Sequence, residues 1–265
     1  MTFAHRLAAA GRDIRDGIAQ VHVWGLLGWQ DMRQRYRRSV IGPFWLTLST
    51  AIMLATMGLL YGRLFGQDLR HYLPYLAVGL IVWGTLLAIV NESCQVFIGA
   101  SAVIKQIRLP LTTHVCRVIW RNALLLAHNA VILVPLALWA EHGPTPALFS
   151  VPLGFAVLLL NGLWIGLFLG VLCARFRDVP PIVANLMQIA FFITPIIFRP
   201  EVLGNRAWIA AWNPLYHLIE VVRAPIVEGR LPLGSWAGLA AFTLGGALVT
   251  LLLFARTRAR VPYWL

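Results

Sequence analysis

The sequence predicts an all-α membrane protein with six transmembrane helices, an N-terminal amphipathic helix at the interface and re-entrant helices before the last span. Three observations carry that prediction. The chain is 59% hydrophobic and 12% charged, with mean hydropathy +0.75, where a soluble domain is about one quarter charged. Six apolar windows approach or reach the roughly 20 residues a helix needs to cross the hydrocarbon layer. The basic residues lie mainly between those windows and at the chain ends, and many aromatic rings sit near the window ends, at headgroup level.

The elements follow in order. Residues 18–38 are too polar to span, yet Ile18, Val21, Trp29, Met32 and Tyr36 share one helical face opposite Asp31, Gln34 and Arg38, the pattern of a helix lying in the interface. Val23, Trp24 and Leu27 interrupt that pattern, so the helix is also expected to press on protein. The spans are placed at 44–62, 74–93, 116–139, 151–173, 181–198 and 235–255; the fifth is short and contains Pro195. Between the second and third, Ser101 is expected to cap a short helix running to Arg108 before Pro110 stops it. After the fifth, residues 199–234 carry apolar pieces broken by prolines, each too short to cross. Such pieces are tolerated at membrane depth where protein or a water-filled cavity satisfies the freed backbone groups.

Orientation follows from the basic residues, which resist translocation. With the N-terminus inside, sixteen of the twenty-two lie on the cytoplasmic side: Arg6, Arg12, Arg15, Arg33, Arg35, Arg37, Arg38, Lys105, Arg108, Arg117, Arg121, Arg175, Arg177, Arg256, Arg258 and Arg260. Only Arg63, Arg70, Arg199, Arg206, Arg223 and Arg230 fall outside. Both ends are therefore expected in the cytoplasm. The net charge of +12 has this topological origin, and nucleic acid is a poor partner for it. No signal peptide is expected, because no early apolar core with a small-residue cleavage site opens the chain.

Several chemistries lack their residues. None of the ten acids is placed in mid-bilayer, which leaves a proton-driven carrier without a relay; Glu92 is terminal and His128 reads as a hydrogen-bonded packing residue. A P-loop needs Lys followed by Ser or Thr, and the single lysine, Lys105, precedes Gln106. The chain carries no ATPase site of its own and no paired carboxylates for an embedded enzyme. Cys94, Cys116 and Cys173 have no metal-ligand spacing and read as reduced packing residues, so no metal is expected.

At 35–45 the chain reads RYRRSVIGPFW, at 104–110 IKQIRLP, at 174–180 ARFRDVP and at 213–217 NPLYH. With these pieces the chain resembles the Wzm-type (ABC-2) permeases that export O-antigen and related polysaccharides, relatives of the capsule and teichoic-acid permeases. The resemblance implies the ABC-2, or type V exporter, fold, and a bacterial inner-membrane permease acting as a homodimer. Its partners would be two nucleotide-binding subunits that bind ATP and Mg, and its substrate an undecaprenyl-pyrophosphate-linked glycan. Residues 98–110 would hold a coupling helix, with Ser101, Lys105, Gln106 and Arg108 toward the ATPase.

Arg33, Arg35, Arg37 and Arg38 sit where a lipid pyrophosphate would arrive, and guanidinium forks match phosphate oxygens in pairs; anionic membrane lipids explain them equally. Arg175 and Arg177, with Asp178 as an ion partner, form a second candidate. Trp45, Tyr61, Trp83, Phe191 and Phe192 are candidates for a glycan-lining channel, or for ordinary lipid-facing and packing rings. Trp208, Trp212, Asn213, Tyr216 and His217 would belong to the periplasmic gate. The rival readings are export of capsule, drug or small lipid by the same fold, and a membrane-embedded glycan-processing enzyme.

Overall fold

A computed structural model describes residues 2–37, 42, 44–64, 66–139, 145–206 and 208–265. Among these every regular element is helical. In order they are α1 (Phe3–Ala19), α2 (Val21–Arg35), α3 (Phe44–Leu64), α4 (Leu69–Cys94), α5 (Ser101–Gln106), α6 (Leu111–Ala130), α7 (Leu133–Trp139), α8 (Val151–Arg175), α9 (Val179–Ile193), α10 (Trp208–Ala211), α11 (Pro214–Val227), α12 (Leu233–Thr257) and α13 (Val261–Trp264). Short 3-10 turns occupy Pro146–Ser150, Pro200–Arg206 and Arg258–Arg260.

Five helical stretches are long and apolar enough to cross a membrane: Phe44–Leu64, Leu69–Cys94, Leu111–Trp139, Pro146–Arg175 and Leu233–Trp264. The chain is thus a multi-pass membrane protein. α4 is the central post, packed by α3, α6, α8, α9 and α11. α8 lies close against it and α6 because Gly162, Gly166 and Gly170 form a stripe with no side chain: a Cβ there would come within 2.6–2.8 Å of Ile119, Val115 and Val96. Small residues of this kind let apolar helices approach where lipid offers no hydrophobic drive for association. On another side α8 is tied to α12, Asn161 donating to Thr243 Oγ at 2.9 Å, and within α8 Trp164 donates to Asn161 at 2.9 Å.

Three expectations need correction. The segment 18–38 is not one helix. α1 ends at Ala19, Gln20 leaves the helical region at φ −78°, ψ 50°, and α2 starts afresh. The face holding Ile18, Val21 and Trp29 stays exposed, while Gly28 and Met32 are buried against α6 and Trp24 meets Trp120 edge-on at 5.8 Å. The fifth apolar helix stops at Ile193 rather than 198. A residue before proline is pushed out of the helical region, and Thr194 is extended at φ −83°, ψ 131°. Its 15 residues rise about 22 Å, short of the roughly 30 Å hydrocarbon core.

Ser101 does not cap α5. It is the first helical residue, Ala100 holds the cap position without a side-chain bond, and the turn before it supplies acceptors, Ile104 N–H donating to Ala100 at 2.9 Å. The helix ends at Gln106, so Arg108 lies beyond it, in a tight turn closed by Leu109 N–H donating to Ile107 O at 3.0 Å. Glu220 is buried inside α11 together with Arg223.

α1 was not singled out in the sequence, and it fastens both ends of the chain together. Asp13, 4% exposed, accepts from Leu111 N–H at 3.3 Å, Thr112 N–H at 3.1 Å, Thr112 Oγ at 2.9 Å and Arg258 Nε at 2.6 Å. The carboxylate supplies the cap that Pro110 cannot give to α6 and suits the positive end of that helix. The two chain ends therefore meet at one end of the bundle, the arginine-rich end.

Candidate functional site

At the arginine-rich end three helices are tied by one ion network. Asp31 of α2 accepts from Arg117 Nε at 2.8 Å and Nη2 at 2.5 Å, and from Arg121 Nη1 at 2.8 Å, all from α6. Arg121 also donates to Glu92 of α4 at 2.7 Å, where Asn122 donates at 2.7 Å and Arg35 approaches at 3.6 Å. Partial burial pushes the Asp31 carboxyl up, but the bonds and charge of Arg117 and Arg121 outweigh it and hold the group below its ordinary value of 3.8. None of these pairings was drawn from the sequence. The usable signal was the i, i+4 pair of arginines inside an otherwise apolar helix, which needs acids to face it.

The four arginines proposed for pyrophosphate separate. Arg33 and Arg37, one turn apart, line a cavity of 420 Å³ with Trp29, Tyr36 and His128. His128 bonds its own helix at Leu124 O, 2.7 Å away, and its ring meets Phe44 at 5.6 Å. Arg35 turns the other way, into the Glu92 ion pair. Arg38 lies outside the described residues. Two guanidiniums without a carboxylate partner among the described residues, beside rings and apolar side chains, suit an amphiphile with a phosphate head.

The coupling residues lie at this same end. α5 has no buried residue, Lys105, Gln106 and Arg108 are exposed and Ser101 half-buried, while Ile104 packs inward. α13 packs against α5. Ile104, Ile107 and Arg108 also border a cavity of 480 Å³ whose far wall is Arg12, Asp16 and Arg258. The pairing of Arg175 with Asp178 is absent: Arg175 instead lies over the rings of Phe176 and Trp264, at 5.2 and 5.1 Å.

The opposite end is built around a break in the backbone. Between α9 and the Pro200–Arg206 turn, residues 194–198 are irregular and Thr194 and Ile196 are fully buried, so their carbonyls need donors. Tyr72 donates to Ile197 O at 2.8 Å, Tyr75 to Phe198 O at 2.8 Å and to Pro195 O at 3.2 Å, and Arg223 to Pro195 O at 2.8 Å. Arg223 is 1% exposed and its guanidinium lies 3.8 Å from the centre of the Tyr75 ring. Gly79 leaves it room, because a Cβ there would sit 2.5 Å from Nη2.

The gate residues sort by contact. Asn213 caps α11 through Leu215 N–H at 2.9 Å and donates to Thr194 Oγ at 2.9 Å. His217 bonds Ser235 Oγ at 3.0 Å and Ala211 O at 2.9 Å, which requires the proton on Nε2. Tyr216 packs at 5.6 Å from that ring. Trp208 and Trp212 are largely exposed, as lipid-facing rings are. Of the channel aromatics, Trp83, Phe191 and Phe192 form a chain of rings 5.6 and 5.5 Å apart. Trp45 and Tyr61 lie near opposite ends of α3, about 24 Å apart along the axis, so no single cluster of rings holds both.

The geometry defines a class: an all-helical, multi-pass membrane protein whose charged groups sit at its two ends and on an exposed helix, with no catalytic constellation among the described residues. A family model described as ABC-2 type transporter matches residues 22–227, and the chain belongs to that family. It is a permease rather than an enzyme. Its relatives include the O-antigen export system permease protein RfbA of Myxococcus xanthus, 23% identical over 206 residues, 77% of this chain and 79% of that protein. The permease of the same name from Klebsiella pneumoniae is 23% identical over 207 residues, 76% and 79% of the two chains. The polysialic acid transport protein KpsM of Escherichia coli is 25% identical over 241 residues, 86% and 90%.

Proposed function

We propose that this chain is the channel-forming subunit of an ABC exporter for lipid-linked, O-antigen-type polysaccharide in the bacterial inner membrane. It works as a homodimer with two ATPase subunits, which supply the ATP and Mg site, and its substrate carries undecaprenyl pyrophosphate. The observation that carries the reading is the placement, at one end of the bundle, of an exposed α5 and a cavity bearing Arg33 and Arg37. Energy input and a phosphate-headed lipid would then meet on the cytoplasmic side.

Both chain ends meet through Asp13 and Arg258, so an even number of crossings must lie between them. Five long spans plus α9, extended by residues 194–198, give six, with α11 turning back from the periplasm. α9 packs inward through Val183, Met187 and Ala190 while Ile182, Leu186 and Ile189 stay exposed, a stripe suited to lipid or to a second copy.

Purification of the tagged chain from its host under mild detergent tests the proposal. A stoichiometric ATPase and loss of surface O-antigen on deletion are expected; absence of any ATPase overturns the reading. Lys105→Glu with Arg108→Glu is expected to leave ATP hydrolysis running while export fails, and normal export would remove both from the coupling role. The similarity to KpsM over 86% of the chain favours a second reading, export of a capsule-type glycan. Loss of capsule rather than O-antigen on deletion would select it.

A further inference from the structure

At the far end, α4, the Pro200–Arg206 turn and α11 enclose a cavity of 230 Å³ that none of the roles above uses. Its walls combine the phenols Tyr75 and Tyr216, the carboxylates Glu201, Glu220 and Glu228, and the guanidiniums of Arg199 and Arg230, the latter paired with Glu228. Glu220 is 5% exposed and is met by Arg230 at 3.6 Å. Arg199 Nε is buried with no hydrogen-bond partner, and its guanidinium stands 5.5 Å from the Tyr75 ring. The buried Arg223, 3.8 Å from the centre of the same ring, likewise keeps Nε and Nη2 unpartnered. Buried donors without acceptors are rare in finished structures, so this end holds more donor capacity than the protein consumes.

The mixture selects the ligand. Three carboxylates outnumber the two guanidiniums and disfavour a phosphate, the arginines among them oppose a divalent cation, and the polar walls reject an acyl chain. A neutral sugar ring fits all three constraints. Vicinal hydroxyls donate to carboxylates and accept from guanidinium groups, and the apolar face of the ring stacks on a phenol. The cavity is below the roughly 300 Å³ lower bound for drug-sized ligands, the scale for one ring of a longer chain.

We propose that this cavity is a glycan subsite, taking one neutral, hydroxyl-rich sugar ring of the exported chain on the side where it leaves. The proposal rests on the polysaccharide-export reading. It assigns Glu201 and Glu220 as hydroxyl acceptors, Arg199 as donor, and Tyr216 as the stacking wall. Hydroxyl bonds to charged groups give the ring a preferred seat, while a single small subsite keeps the affinity low enough for the chain to move on.

The test uses the full permease with its ATPase in lipid nanodiscs and, as probe, short oligosaccharides released by mild acid from the host's surface polysaccharide. Saturation-transfer NMR is expected to mark ring protons with wild type, and the apparent Kd is expected to rise about tenfold in Glu201→Gln and in Tyr216→Leu, which removes the stacking face. Glu201 is exposed at the rim, so its variant keeps the fold. No transfer in wild type, an unchanged Kd in both variants, or competition by inorganic pyrophosphate would overturn the subsite. The parent reading fails separately, if a strain lacking the permease keeps its surface polysaccharide.

Discussion

The two ends of the bundle handle buried charge in opposite ways. At the arginine-rich end, Asp31, Glu92, Arg117, Arg121 and Arg35 satisfy one another across α2, α4 and α6, and Asp13 does the same across α1, α6 and the chain's end. Side chain meets side chain, so the bonds record the relative position of whole helices. At the far end, Tyr72, Tyr75 and Arg223 are spent on backbone carbonyls of a single broken stretch. There the polar groups stabilise an irregular path that apolar surroundings would otherwise forbid. One end fixes the register between helices, the other holds a non-helical segment in place.

The largest expected effect breaks the first arrangement. Asp13→Ala leaves two amide N–H groups and Arg258 without their acceptor inside the protein. Each buried amide left unpaired costs about 1–3 kcal/mol, while Arg258, whose side chain is 38% exposed, regains water and adds little. The loss is read as a lowered unfolding midpoint in detergent, and Asp13→Asn is expected to recover part of it by keeping an acceptor.

At the far end the comparable loss is smaller, because each carbonyl depends on fewer donors. Gly79→Ala places a methyl 2.5 Å from Arg223 Nη2 and 3.1 Å from Ile196 O. Backbone cannot yield there, so the guanidinium must shift off Pro195, at about 1–3 kcal/mol. Tyr72→Phe removes the 2.8 Å bond to Ile197 O and costs about 1–2 kcal/mol for a carbonyl left unpaired. Hydrogen exchange or protease sensitivity confined to residues 194–206 checks both, and protection unchanged there would sink the idea that these side chains hold the segment.

How much of this was legible in the sequence depends on range. Long spans announce themselves, since some 20 apolar residues in succession admit few other readings, and α3, α4, α8 and α12 follow from composition alone. The tail of α9 did not. Residues 194–198 are as apolar as a helix needs, and hydropathy is blind to the missing amide of Pro195. The candidate site divides similarly: Lys105 and Arg108 stand on a local motif, whereas Arg35 parted from Arg33 and Arg37 because of Glu92, a residue 57 positions on. Asp13 had no local signature, its partners being 98 and 245 positions away.

The smallest effect sharpens the comparison through pH. Asp31→Asn keeps an acceptor for Arg117 and Arg121 but removes the counter-charge, at about 1 kcal/mol for a group this close to solvent. Because the folded carboxyl titrates below its ordinary value of 3.8, its contribution is complete above that value and is lost as pH falls through the depressed one. The stability gap between wild type and Asp31→Asn should stay level from neutral pH to about pH 5 and close under stronger acid. The Tyr72→Phe gap should stay flat over the same range, since a phenol loses no proton there. If both gaps close together with acid, the two ends melt as one unit and the distinction between a registering end and a holding end fails. If only the Asp31 gap closes, acid releases α2 from α6 while the far segment keeps its pins.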